Sequence, residues 1–255
     1  MNQFQNTLIR CSSLGDILTE PKDKAAKDAG ELSKTAKTCL IRTYISEKYD
    51  RYKEVETKQM KKGIIGEDAG ITILSRYKKK IYIKNEERLA NEFISGHLDV
   101  FEGESITKAT HIIDTKLSWD LWSFLPNVIE PLDKGYIYQL QGYMALTGAK
   151  TAEIAYVLVD TPQEIIEQEK LYLLRRMNVI SEESPEYIEA AAGLEINMIY
   201  PDIPIEERVL LFPVKRDDAI IEKIYEKVKK CREFLQVFSD LHKNFNDKKI
   251  SELVD

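Results

Sequence analysis

Cysteine is scarce in this 255-residue chain: there are three, Cys11, Cys39 and Cys231, far apart in sequence. An odd, scattered set is no disulfide framework, and without a CxxC pair there is nothing to suggest a zinc or iron–sulfur site. Free, mostly buried thiols in a reducing compartment are the expectation. Long apolar runs are missing as well. The N-terminal MNQFQNTLIRCSS has no apolar core, so no signal peptide is expected. The longest purely apolar stretch, Ile154 to Val159, is far too short to span a membrane. A cytoplasmic protein without a membrane partner follows as the expectation. An excess of basic residues is also lacking. Lys+Arg number 37 against 43 Asp+Glu, a net charge of −6, which taken whole argues against a basic nucleic-acid-binding protein. There is no internal repeat and no low-complexity tract.

The rest of the composition describes a folded domain. The chain is 43% hydrophobic and 31% charged, enough apolar material for a sizeable core. The acidity is concentrated. Residues 161–210 hold 11 Asp+Glu and 4 Lys+Arg, a net of −7, which leaves the remainder of the chain at +1. Basic clusters at Lys61-Lys62, Lys78-Lys79-Lys80 and Lys229-Lys230 are available for phosphates or form solvated helix faces.

Pattern places the elements. Pro21 to Leu32 reads as an exposed loop with a little helix. Ser33 can cap a helix carrying Leu40, Ile41, Tyr44 and Ile45. A second helix spans about Thr57 to Lys79, weakened by Gly63, Gly66 and Gly70. Phe93 to Phe101 reads as one strand, Glu102 to Ser105 as a turn and His111 to Leu117 as the next strand, making a hairpin. Ser118 to Pro131 reads as an ordered loop holding Trp119 and Trp122. Leu132 to Leu146 is an amphipathic helix between an Asp133 cap and a Gly148 stop. Ala152 to Val159 is a buried strand, Gln163 to Asn197 a Glu-rich helical region and Arg208 to Val214 a short strand. Asp217 and Asp218 open a long terminal helix. The order predicts an α/β (α+β) fold with a small central sheet.

Three polar residues stand out in the apolar hairpin. Asp114 and Lys116 alternate with Thr115, so both point to one face of their strand. Asp99, in Leu98-Asp99-Val100-Phe101, can lie beside Asp114. Alone, an Asp-x-Lys triplet in so charged a chain signifies little. The flanking Ile112-Ile113 and Leu117 place this one inside, where carboxylates are rare unless paired or metal-bound. A hard divalent cation relieves the repulsion between two neighbouring carboxylates. The Thr115 carbonyl can add an oxygen ligand, and Lys116 can position or deprotonate a water for attack on phosphorus. Glu67, on the glycine-bearing helix, can supply a third carboxylate. Gln139 and Tyr143, four apart on one helix face, can bind a phosphate or order the lysine. Trp119 and Trp122 can stack on unpaired bases or simply anchor the loop in the core.

Glu67, Asp99, Asp114-Thr115-Lys116 and Gln139-x-x-x-Tyr143, in this order on helix, strand, strand and helix, resemble the PD-(D/E)XK nuclease superfamily. Within it the chain is similar to the branch of phage lambda exonuclease, YqaJ-type recombinases and RecB-like nuclease domains. Lys62 to Ala69 is similar to the glycine-then-glutamate helix motif of the phage exonucleases. A weaker likeness is Ile9-Arg10-Cys11-Ser12-Ser13-Leu14-Gly15, near a serine that helps hold the DNA 5′-phosphate in those enzymes. Ser12 or Ser13 as a helix cap would suit an anion. The matched core runs from about Gly63 to Pro162. The triplet's acid is Asp114 where many exonucleases have Glu, and the four cysteines of the iron–sulfur subtype are missing.

The resemblance implies a central mixed sheet flanked by helices, a restriction-endonuclease-like core. It implies one nuclease domain over residues 1–255, with a catalytic core of about 63–162 and a helical part from 163. Mg²⁺ or Mn²⁺ would be held by Glu67, Asp99, Asp114 and the Thr115 carbonyl, with Lys116 as catalytic lysine, Gln139 and Tyr143 beside it, and Arg10, Ser12 and Ser13 on DNA. The implied function is an exonuclease on linear double-stranded DNA ends, in recombination or repair in a bacterial host cell. A single-strand annealing protein as partner and a ring-shaped trimer are further implications. The alternatives are an endonuclease or structure-specific nuclease using the same site, or a non-catalytic DNA-binding or assembly module with the same fold.

Overall fold

Strand β5 (Ala109–Ser118) sets out the architecture through its alternation. Ile112 and Ile113 point to opposite faces, yet both are fully buried, so the sheet around them is covered on both sides. Ile112 packs with Leu140 and Met144 of helix α6 (Lys134–Thr147) and with Ile224 and Val228 of α9 (Asp218–Lys243). Ile113 packs with Ile71 and Leu74 of α4 (Lys58–Lys78). The structure, a computed structural model, describes residues 3–53 and 57–245.

β5 pairs antiparallel with β4 (Val100–Gly103) and parallel with β6 (Thr151–Leu158), which pairs antiparallel with β7 (Val209–Lys215). The result is a mixed sheet in the order β4-β5-β6-β7. The parallel pair needs a crossover, and α6 supplies it. A second, three-stranded sheet has the order β1-β3-β2, from β1 (Ile9–Arg10), β2 (Leu89–Ala90) and β3 (Ile94–Gly96). The expected mixed sheet flanked by helices is therefore present.

Caps explain most element ends. Ser33 accepts from the Ala36 amide to start α3 (Lys34–Tyr49), and Thr57 accepts from Met60 to start α4. Asp133 accepts from Gly135 at the start of α6, and Gly148 ends that helix with φ +83. The Pro21–Leu32 region holds the short helix α2 (Lys24–Asp28).

Two expectations need correction. Phe93 to Phe101 is not one strand. β3 and β4 belong to different sheets, and Asn85 holds the segment between them. Its side chain donates to the Leu98 carbonyl and its amide to the Asp99 carbonyl. Ser118 to Pro131 is not only loop: Asp120 and Ser123 form a reciprocal capping box around α5 (Leu121–Phe124). The Glu-rich region is helical as expected, in two pieces, α7 (Gln163–Met177) and α8 (Pro185–Ile196). The short strand expected at Arg208 to Val214 is β7, which completes the main sheet.

The glycines of α4 do more than weaken it. A Cβ on Gly70 would lie 2.5 Å from Leu117 Cδ2, and one on Gly66 3.1 Å from Leu117 Cδ1. They let α4 approach β5. A Cβ on Gly15, in α1 (Leu14–Ile17), would lie 2.8 Å from the Cα of Gly135, so backbone meets backbone where α1 packs on α6. Among the described residues, no helix is long and apolar enough to cross a membrane. Cys11 and Cys231 are buried and Cys39 half-buried, all as free thiols.

Candidate functional site

Asp114 and Lys116 lie on the α6-covered face of β5. Asp114 is 1% exposed. Its Oδ2 is 2.5 Å from Lys116 Nζ, and no donor other than this ammonium serves the buried oxygen. Gln139 Nε2 donates to Asp114 Oδ1 at 3.3 Å and to the Tyr143 hydroxyl at 2.8 Å. Tyr143 in turn donates to the His97 carbonyl at 3.0 Å. Burial, then the charge of Asp114, raises the Tyr143 pKa, so the phenol stays a donor. The helix spacing thus joins α6 to β5 and to the segment leading to Asp99.

The β4–β5 pairing of Val100 with Ile113, continued by one residue, sets Asp99 opposite Asp114. Asp99 Oδ2 accepts from the Thr115 amide at 2.7 Å and from the Thr115 hydroxyl at 2.8 Å. Burial, followed by repulsion from Asp114, pushes the Asp99 carboxyl up to about 6. For Lys116, burial opposes the charge, but the attraction and hydrogen bond of Asp114 prevail and its pKa is raised. Lys116 also lies 5.0 Å from the centre of the Tyr136 ring. It is therefore a firmly held cation beside two carboxylates that repel each other.

Glu67 has a partner of its own. It lines the same cavity, of about 820 Å³, as Asp99, Asp114, Thr115 and Lys116. Its Oε2, however, is paired with Lys84 Nζ at 3.0 Å. No three carboxylate, imidazole or thiol side chains converge as a metal-holding group among the described residues. The physical reason is the layering: α4 covers the sheet face opposite to α6, so Glu67 approaches the site from the other side of β5. The two carboxylates still suit a hard cation. Mg²⁺ is commonly held by one or two carboxylates, with waters and substrate phosphate completing the shell.

Ser12 and Ser13 part company. Ser12 and Arg10 line the same cavity. Ser13 is the N-cap of α1 but makes no side-chain cap bond and lies against the Cys39 thiol. The two tryptophans also separate. Trp119 packs half-buried on Ile165, Ile166 and Met198, whereas Trp122 is 67% exposed. Most of the lysines in the basic clusters have protein partners. Lys61 pairs with Glu164, Lys78 with Glu153, Lys80 with Glu102 and Lys229 with Glu226, while Lys230 donates to the Gly30 carbonyl. Lys62 is 1% exposed and donates to the Trp119 carbonyl at 2.7 Å. Arg88 and His97, which the sequence reading did not single out, line the cavity. Nothing in the pattern marks them, because the two-residue strands β1 and β2 are too short to show a period.

No protein-family model matches the sequence, and no curated protein matches it significantly. Solved structures do. The phage-related exonuclease of Haemophilus somnus 129PT superposes with a TM-score of 0.72 at 30% identity, over 94% of this chain and 99% of that one. The alkaline exonuclease LHK-Exo of Laribacter hongkongensis gives a TM-score of 0.59 at 14% identity, over 98% of this chain and 96% of that one. Its complex with dAMP gives 0.58 at 16% identity, with the same coverage. The LHK-Exo structures share the fold. With the first likeness extending over nearly the whole of both chains, this chain belongs to the phage-related exonucleases.

Proposed function

We propose that the chain is a Mg²⁺- or Mn²⁺-dependent deoxyribonuclease that degrades linear double-stranded DNA from its ends, with Asp99, Asp114 and Lys116 as its reactive centre. The observation that carries this reading is the pair of neighbouring buried carboxylates, Asp99 and Asp114, served by the single cation Lys116. Asp99, Asp114 and the Thr115 carbonyl would hold the cation, with Glu67 able to join on leaving Lys84. When bound, the cation activates water and neutralises charge developing on the phosphate. Lys116, held protonated by Asp114, is suited to stabilise the phosphate oxygens and orient the attacking water rather than to abstract its proton. Gln139 fixes Asp114, and Tyr143 fixes the Gln139 amide against the His97 carbonyl. Arg10 and Ser12, on the same cavity, are positioned to contact DNA phosphate.

A plasmid tests the mode. The expected outcome in Mg²⁺ is complete loss of linearised plasmid while the covalently closed circle survives. Nicking of the circle would overturn the end-dependent reading.

A further inference from the structure

The small sheet presents one open face to the catalytic cavity. In the parallel pairing Arg10 lies beside Ser95, and in the antiparallel pairing Ala90 lies beside Ser95. Continuing the second pairing by one step past Leu89 and Gly96 sets Arg88 beside His97. Alternation then puts Arg10, Ser95, His97 and Arg88 on the same face, and Ile9, Ile94 and Gly96 on the other. Burial agrees: Ile9, Ile94 and Gly96 are buried, Ser95 and His97 are half-buried, and Arg10 and Arg88 are exposed. The four polar residues of the open face line the cavity. Asp99, two residues beyond His97, lines the same cavity. Arg10 and Arg88 therefore flank a polar track that ends at the reactive carboxylates, on strands roughly 10 Å apart.

The charges around the cavity are unevenly matched. Asp114 is taken by Lys116 and Glu67 by Lys84, while Asp99 accepts from Thr115. Asp114, Asp99 and Glu67 are the carboxylates lining the cavity. Arg10 and Arg88 have no ion-pair or side-chain hydrogen-bond partner among the described residues. An arginine remains charged at any working pH, and its planar fork matches phosphate oxygens in pairs. Two such groups on either side of a track are a receptor for a chain of phosphates. The lysine clusters of the helices, mostly tied to protein partners, are poorer candidates.

We infer that Arg88 is a DNA-contacting residue that, opposite Arg10, clamps backbone phosphate of the strand delivered to Asp99 and Asp114 along the open face of the β1-β3-β2 sheet. This assignment rests on the nuclease reading of the site, and its test avoids catalysis. Binding of a 3′-fluorescein duplex, with 5′-phosphate or 5′-hydroxyl ends, is followed by anisotropy in EDTA across a salt series. Each phosphate contact contributes roughly 0.7–0.9 to the slope of log K against log salt concentration. Arg88→Ala and Arg88→Gln are expected to lower the slope by about that amount, and Arg88→Lys to retain it. The melting temperature should be unchanged in all three, because Arg88 is exposed and unpaired. A deficit seen with both kinds of end assigns Arg88 to an internal phosphate, and one confined to phosphorylated ends assigns it to the terminal phosphate. An unchanged slope in Arg88→Ala and Arg88→Gln, or a wild-type protein that does not bind, overturns the inference. If binding depends on Arg88 but Mg²⁺ produces no cleavage, the clamp stands and the nuclease reading falls.

Discussion

Asp114 and Lys116, two residues apart on β5, face each other across 2.5 Å while the next strand brings Asp99 up against the same carboxylate. One cation thus serves two acids, and the arrangement is short of positive charge.

Asp114→Asn is the cleanest test of that relationship. It keeps the side-chain shape, removes the repulsion on Asp99 and leaves Gln139 a carbonyl oxygen to donate to. Cleavage of a labelled duplex should fall by at least roughly 10²-fold, the lower end of what one acid–base or electrostatic group contributes. The melting temperature should not fall. Lys116→Ala should lose cleavage to a similar extent. Wild-type cleavage by either protein would remove these residues from the mechanism.

Asp99 supplies a dependence on pH. Its folded-state pKa, about 6, lies above the ordinary value of 3.8. Its ionised form therefore costs stability, fully above pH 6 and progressively less as pH falls towards 4. Asp99→Asn, which can still accept from Thr115, should stabilise the protein by on the order of 1–3 kcal/mol at pH 7 and by little at pH 4. Cleavage by the wild type should decline as pH falls, because protonated Asp99 no longer offers a charged oxygen, with a midpoint that moves down as Mg²⁺ is raised, since the cation favours the ionised carboxyl. Urea titrations at the two pH values check the first statement, and a pH–rate profile the second. Equal effects of Asp99→Asn at pH 4 and 7 would contradict the account.

The sequence disclosed β5 as a buried strand because its signal is local. Apolar flanks mark β5 as buried, and alternation puts Asp114 and Lys116 on one face. The Gln139–Tyr143 spacing and the Asp133 and Gly148 caps are local in the same sense. What stayed hidden depends on layers. Nothing in residues 93–101 says that the chain changes sheets at His97, because the switch is held by Asn85, well upstream. The turning of Glu67 to Lys84 follows from α4 covering the far face of the sheet. Arg88 becomes visible only when β1 and β2, each two residues long, are paired with β3.

Lys62 offers a test that does not read cleavage. Burial lowers its pKa to about 8 from 10.5, despite the attraction of Asp120 and Asp160. Between those values the unfolded chain binds more protons than the folded one, so this residue makes stability rise with pH from about 8 to 10.5. Below pH 8 its charge costs on the order of 3 kcal/mol, offset in part by the hydrogen bond to Trp119. Lys62→Met should lack this rise, seen as a smaller gain in urea midpoint between pH 8 and 10 than in the wild type. Identical gains in the two proteins would show that Lys62 is not held in a desolvated state.

The central claim is that cation-dependent phosphodiester hydrolysis takes place at Asp99, Asp114 and Lys116. The most direct measurement is the degradation of end-labelled linear duplex, with and without a 5′-phosphate, by the purified protein in Mg²⁺ and then in excess EDTA. The account predicts progressive release of label from linear DNA in Mg²⁺, complete arrest in EDTA and recovery when Mg²⁺ is restored. Cleavage that continues undiminished in EDTA would contradict it.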